Sequence, residues 1–416
     1  MKFIVLSLVL LLSRAPAFAA AAGGLEKAAA EVAAGIAGKP AGLEETYDKS
    51  LFRHISAEKL AEVLSGIYKA DGRVTAELLV SSDTAFSGHF LFETEKGYRL
   101  PAAISVNPAT GRVDGIFFGV AYKKDVPIAE TRRALAALPG KTGLLVLRYG
   151  EKPETLEALN ENAYFAVGSA FKLYVLGALL ENKVPWTKVF RLKEEEKSLP
   201  SGRLQEWPDG SPLTAHTLAA MMISASDNTA SDTLIAGVGR RNIEAALPAL
   251  GHSSPALLRP FLKTSEVFRL KADSGTALKY MNLPADEKYG FLEDLRAAPL
   301  SAAAVRASPF GIDKIEWPAS PADLCRVMKY FADKDDKAAL DILAMNPGLQ
   351  LPEGGFLYAG YKGGSEPGVL AMTWLLKNKK GEWYCLAGAW NDEKNNLEKD
   401  KFFEIMQAAV NALSGQ

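Results

Sequence analysis

Two domains of mixed α/β (α+β) class are predicted by three features of the sequence. The chain has 416 residues of 48% hydrophobic composition, enough to bury more than one core. In its first third, an amphipathic helical run is followed by short strand candidates punctuated by turns, the texture of a small α+β domain. Apolar helical runs fill the middle, and a strand pair and a last helix close the chain.

At the start, Lys2 precedes an apolar stretch from Phe3 to Leu12, and Ala17-Phe18-Ala19 offers the small-x-small pattern of signal-peptidase cleavage. Residues 1–20 therefore read as a secretory signal peptide. The stretch is too short to span a bilayer, and no cysteine near the cleavage site could carry a lipid. A soluble exported protein, periplasmic or secreted, with no stable membrane span is expected. Ala20 to Gly42 reads as part helix and part flexible leader. Ser56 to Tyr68 is an amphipathic helix with Leu60, Val63, Leu64 and Ile67 on one face, capped by Ser56 and ended by Asp71-Gly72.

Strand candidates follow at Val74 to Val80, His89 to Thr94, Tyr98 to Val106 and Gly115 to Val120, with a strong turn at Asn107-Pro108-Ala109-Thr110-Gly111. These elements place a small α+β domain over residues 24–135. No chemistry is evident in it: its charges are unclustered, and Tyr98, Phe117 and Phe118 at strand spacing read as core. A linker over 136–142, containing Pro139-Gly140-Lys141, leads to a second domain over 143–416. That domain opens on a buried strand, Gly143 to Tyr149.

The second domain is organised around Gly168-Ser169-Ala170-Phe171-Lys172, ahead of the apolar run Leu173, Val175, Leu176, Leu179 and Leu180. The spacing predicts a helix with Ser169 in its first turn and Lys172 one turn on, facing the same side. A lysine desolvated beside that helix can lose its proton and become the base a serine nucleophile needs. Ser-x-x-Lys alone is weak, since about one or two matches arise by chance in a chain this long. Ser56 to Lys59 is a second match, and its N-cap role explains it. Further on, Ser226-Asp227-Asn228 stands between helix candidates Thr214 to Ser224 and Asn228 to Ile235. Lys362-Gly363-Gly364-Ser365 precedes strand Gly368 to Leu376, followed by strand Trp383 to Trp390 and helix Phe402 to Leu413.

Other features exclude function classes. With 48 basic and 49 acidic residues, nothing favours nucleic acid or an anionic membrane as partner. The short mixed charge runs Lys193 to Lys197 and Asp333 to Lys337 read as solvated faces. Two cysteines and four scattered histidines make no metal-ligand spacing, so no metal and no cofactor are predicted. Cys325 and Cys385 read as two buried thiols, although an oxidising compartment permits a disulfide.

Ser169-x-x-Lys172, Ser226-Asp227-Asn228 and Lys362-Gly363-Gly364, in this order and spacing, resemble the motif set of penicillin-recognising serine enzymes, class A β-lactamases in particular. The resemblance covers residues 143 to 416 and implies a β-lactamase/transpeptidase-like fold, with a five-stranded antiparallel sheet built from both ends of the chain. Together with the first domain and the motif Glu316-Trp317-Pro318-Ala319-Ser320, it makes the chain similar to two-domain β-lactamase-like proteins of the clavulanic-acid cluster type. In those, the small domain is cystatin-like or nuclear-transport-factor-like.

The resemblance implies Ser169 as nucleophile, Lys172 as its proton acceptor and Ser226 as the proton carrier to the leaving group. Asn228, Lys362, Gly363, Gly364 and Ser365 would then bind substrate, with the N–H groups of Ser169 and Ser365 as oxyanion hole. The implied substrate is a small β-lactam, ester or peptidoglycan fragment. An esterase, a peptidoglycan peptidase and a slow-turnover binding protein are the alternatives. Three departures stand out. Gly363 replaces the usual serine or threonine, and no arginine lies between Val369 and Leu376. Glu266, at about the separation from Ser226 of the family's water-activating glutamate, lacks the surrounding loop pattern and reads as an exposed helix or loop carboxylate.

Overall fold

The computed structural model describes residues 15–37, 42–123, 125–298, 300–301, 305–352 and 354–415. Residues 1–14 of the expected signal peptide lie outside them. No helix of the described residues is long and apolar enough to cross a membrane. The chain divides into two units, Met1–Lys124 and Asp125–Gln416.

The first unit holds helices α1 (Ala15–Ile36), α2 (Leu43–Thr46) and α3 (Ala57–Asp71), then strands β1 (Val74–Thr84), β2 (Ser87–Thr94), β3 (Tyr98–Val106), β4 (Val113–Phe118) and β5 (Tyr122–Lys123). Strands β1 to β4 pair antiparallel in sequence order, and β5 adds to β3. Leu25, Ala28, Ala29, Val32 and Ile36 recur at helical spacing on α1. They bury against the alternate residues Phe90 and Phe92 of β2 and Leu100, Ala102 and Ile104 of β3. Ser56 caps α3, its hydroxyl accepting from the Lys59 N–H at 3.2 Å.

The second unit begins with α4 (Ile128–Ala136), β6 (Lys141–Arg148), β7 (Glu154–Leu159), β8 (Phe165–Ala166), a 3-10 turn (Gly168–Phe171) and α5 (Lys172–Glu181). The hairpin β9 (Val189–Arg191) and β10 (Pro212–Thr214) precedes α6 (Ala215–Ser224), α7 (Asn228–Val238), α8 (Arg240–Ala246), α9 (Thr264–Ala272), α10 (Ser274–Asn282) and α11 (Glu287–Leu295). Then come β11 (Pro318–Ala319), α12 (Pro321–Lys334), α13 (Lys337–Ala344), β12 (Tyr358–Glu366), β13 (Val369–Lys377), β14 (Trp383–Asn391) and α14 (Lys399–Ser414).

The order β12-β13-β14-β6-β7 makes an antiparallel sheet from both ends of this unit. Period-two alternation on β13 divides its residues between two cores. Leu370, Met372, Trp374 and Leu376 meet α4 and α14, while Ala371 and Leu375 join the core of α5, α6, α7 and α12.

Four sequence expectations change. The boundary falls at 124/125 rather than 135/136, because Leu135 of α4 buries against Leu144, Val146, Trp390 and Val410 of the second unit. The 136–142 linker is correspondingly short, since β6 starts at Lys141. Cys325 and Cys385 are joined as a disulfide, their Cα atoms 5.6 Å apart, because the apolar face of α12 packs on β14. Lys362 to Ser365 lie ahead of the strand pair β13 and β14 as expected, and they themselves belong to a further strand, β12, at the sheet edge. The run Lys193 to Lys197 is not wholly solvated, for Glu196 is buried near Lys263 and Arg296.

Candidate active site

Ser169 sits on the 3-10 turn rather than inside the α-helix, after Gly168 takes a left-handed φ of 47°. Phe171 anchors the turn from behind, stacked on Trp317 with ring centroids 3.9 Å apart. In front, the turn meets β12. A Cβ on Gly364 would stand 2.0 Å from the Val167 carbonyl oxygen and 2.5 Å from the Ser169 nitrogen. Only glycine at 364 lets the strand come this close, and on the other side of the contact a Cβ on Gly168 would stand 3.2 Å from the Ser365 nitrogen.

Lys172 opens α5 and is fully buried. Its Nζ donates to the Ser226 carbonyl oxygen at 2.7 Å, the Ser226 hydroxyl at 3.2 Å and Asn228 Oδ1 at 2.7 Å. Burial pulls this amine down to about 7, against the opposing pull of Asp232, Asp227 and Glu366. Lys362, also buried, reaches the same Ser226 hydroxyl at 3.1 Å. Desolvation, then the nearby Lys172, hold it well below the usual lysine range. One hydroxyl thus bridges two lysines that each resist a charge.

The loop between α6 and α7 is built to present that hydroxyl. Ser226 has a φ of 53°, a strained value for a residue with a side chain. Asp227 holds the strain in place. Its carboxylate caps α7 at the Ala230 N–H (2.8 Å) and accepts from the N–H groups of Arg203 (2.7 Å) and Leu204 (3.0 Å). Gly202, with φ 105°, is required there, since a Cβ would fall 2.1 Å from Asp227 Oδ2. Asn228 is oriented by donating its amide to the Leu199 carbonyl at 2.7 Å, which turns Oδ1 toward Lys172.

Of the residues singled out by sequence, Ser169, Lys172, Ser226, Asn228, Lys362, Gly364 and Ser365 come together on these three segments. Gly363 faces the other side of β12. A Cβ there would lie 2.0 Å from the Tyr361 hydroxyl, so the space for a side chain is already filled. Tyr361 packs against its cross-strand partner Trp374 with ring centroids 4.8 Å apart and the rings tilted by 38°.

Glu266 contradicts the exposed-carboxylate reading. It is buried, forms a two-pronged ion pair with Arg240 and accepts from the Lys263 N–H at 2.7 Å at the start of α9. Sequence reasoning missed Asp227, Asp232 and Tyr361, although Asp227 lies inside a motif it identified. It also missed Lys271, Glu316 and Glu366, which meet in a buried cluster, and only Glu316 carried a signal.

Residues 127–300 match the model of Beta-lactamase2, a β-lactamase enzyme family. This part of the chain is β-lactamase-like. No curated protein matches the sequence. Among solved structures, a β-lactamase from Sphaerobacter thermophilus is 21% identical, with 69% of this chain and 96% of that one covered and a TM-score of 0.49. A β-lactamase from Chitinophaga pinensis is 18% identical over 69% and 96% of the two chains, with a TM-score of 0.46. A point mutant of PBP-A, solved as an acyl-enzyme complex with penicillin G, is 14% identical over 68% and 92%, with a TM-score of 0.46.

Proposed function

We propose that the second unit is a serine hydrolase that forms an acyl-enzyme on Ser169 with a β-lactam, amide or ester. The observation that carries this reading is the Lys172 amine, buried, drawn down to about 7 and held by Ser226 and Asn228 one turn from Ser169. Lys172, when neutral, takes the Ser169 proton as the oxygen attacks the carbonyl. The N–H groups of Ser169 and Ser365 receive the oxyanion, and Asn228 and Lys362 hold the substrate. As the tetrahedral intermediate collapses, Ser226 gives its hydroxyl proton to the leaving nitrogen or oxygen. Ser226 recovers that proton from Lys172, and the cycle of proton transfer closes.

A second reading is slow turnover, in which the protein binds and retains its acyl group. Glu266 favours it, because both carboxylate oxygens are committed to Arg240 and the start of α9 and neither is free to deprotonate a water. Export rests on the pattern of residues 1–20, and the first unit's helix packed on an antiparallel meander is compatible with a cystatin-like or nuclear-transport-factor-like domain. Intact-mass measurement after incubation with a penicillin, and separately with an activated ester, tests the function. An adduct of one acyl group in the wild type and none in Ser169→Ala is expected. Labelling of both proteins alike would refute the assignment.

A further inference from the structure

Helix α9 connects α7, which carries Asn228, to β12, which carries Lys362 and Ser365. At its start, Asp232 of α7 accepts from the N–H groups of Thr264 (2.7 Å) and Ser265 (2.9 Å) and from the Thr264 hydroxyl (2.9 Å). At its end, Lys271 pairs with Glu316, just ahead of β11, and with Glu366 of β12 at 2.8 Å. Nine residues of helix are about 13 Å of rigid strut. It runs from the helix that carries Asn228 to the residue next to Ser365.

The cluster at the far end is buried, the three side chains being 8%, 1% and 11% exposed for Lys271, Glu316 and Glu366. It sets one cation against two carboxyl groups. Glu316 Oε1 is taken by Lys271, while Oε2 is buried with no hydrogen-bond partner. A carboxylate oxygen left so is costly, whereas a protonated one becomes a donor, and Glu366 stands beside it. We propose that Glu316 and Glu366 share a single proton beneath Lys271, and that this clasp is a positioning device holding the Ser365 end of β12 against the Ser169 turn.

Electrostatics agree with that placement. Burial, then Glu366, raise the Glu316 carboxyl to about 8. Burial alone would lower Lys271, and the two carboxyl groups outweigh it to hold the ammonium above its usual range. The other charges facing the cluster are Arg306, whose guanidinium donates to the Lys271 carbonyl oxygen, and Lys172, which feels Glu366 from α5. Asp313 and Lys314 line, with Glu316, a cleft of about 960 Å³.

The shared proton makes a prediction that two ionised carboxylates do not. Glu316→Gln or Glu366→Gln alone keeps one charge and one donor, so each should behave as wild type at pH 7. The double variant leaves Lys271 without a counter-charge, and Lys271→Met leaves the carboxyl pair without its cation. Both should label with a serine-reactive probe about a hundredfold more slowly, the order seen when an oxyanion donor is displaced. Wild-type labelling should decline above about pH 8, and that decline should be absent from Glu316→Gln.

Thermal midpoints supply a readout that needs no activity. A carboxyl raised in the folded state binds its proton more tightly there, so wild type should lose ground to Glu316→Gln as pH rises to about 8, and the gap should then level. Single variants as damaged as the double would overturn the shared proton. Midpoints that shift without any change in labelling would overturn the positioning role, which rests on the proposed serine chemistry. Absence of labelling in wild type at every pH would overturn that chemistry and the positioning role with it, while the midpoints would still decide the proton.

Discussion

Replacing Lys172 with Met should stabilise the protein while abolishing its reactivity. The amine has an ordinary value of 10.5 and a folded value of about 7. Between these, the unfolded chain holds a proton that the folded chain has lost, so stability rises with pH across that window. Below about pH 7 the folded state carries the whole cost of a buried ammonium, at most about 5 kcal/mol at 1.4 kcal/mol per unit.

Met removes the cost but also removes the bonds to Asn228 and Ser226, leaving acceptors unpaired at about 1 to 3 kcal/mol. A net gain of about 2 kcal/mol at pH 6 is expected, fading as pH approaches 10. Guanidinium unfolding of both proteins at pH 6 and pH 9 measures it, beside the labelling rate at Ser169. Wild-type labelling should rise through about pH 7, and Lys172→Met should lose about a hundred- to ten-thousandfold. A stability difference that is the same at both pH values would refute the buried-amine reasoning. So would a Lys172→Met protein labelled at the wild-type rate.

Glu266→Ala should destabilise the fold by about 3 to 5 kcal/mol, because it strands Arg240, and urea unfolding should show this without a selective loss of deacylation. Gly364→Ala should slow labelling about a hundredfold by driving β12 off the Ser169 turn, with circular dichroism checking that the fold survives. Gly363→Ser should not strengthen carboxylate binding by calorimetry, since Tyr361 fills the space, whereas a gain of tenfold would show that the ring yields. Reduction of Cys325–Cys385, closing a separation of 60 residues, should lower stability by about 4 kcal/mol, read from denaturant midpoints with and without reductant.

The fold was legible wherever one periodicity ran uninterrupted. Leu60, Val63, Leu64 and Ile67 marked α3, and the apolar run from Leu173 marked α5, because burial of one face requires those spacings. The domain boundary was not, for α4 is amphipathic and its sequence does not say which core accepts Leu135. Long-range pairing was hidden for the same reason. Cys385 alternates in β14 like any buried residue, and only the packing of α12 on that strand brings Cys325 to it. Glu266 looked exposed because its partner, Arg240, lies 26 residues upstream.

The substrate wall of the cleft shows how a departure in one residue is explained by a neighbour invisible as a motif. Gly363 read as a missing hydroxyl, a local loss beside Lys362. In the folded strand it is one of two glycines that make room for the Tyr361 ring. A Cβ on Gly348 would come within 2.3 Å of that ring, and one on Gly363 within 2.0 Å of its hydroxyl. Trp374 closes the third side. The ring thus lies on the face of β12 opposite Lys362, and on Lys362's own face burial and the nearby Lys172 disfavour a charge. Under the proposed serine chemistry, a substrate carboxylate beside Lys362 should favour its ammonium form, so binding of a carboxylate-bearing acyl donor should weaken as pH rises. A neutral ester or amide carries no such requirement, so from pH 7 to pH 9 labelling of Ser169 by an uncharged ester should fall less than labelling by a penicillin, and parallel pH profiles for the two probes would refute this.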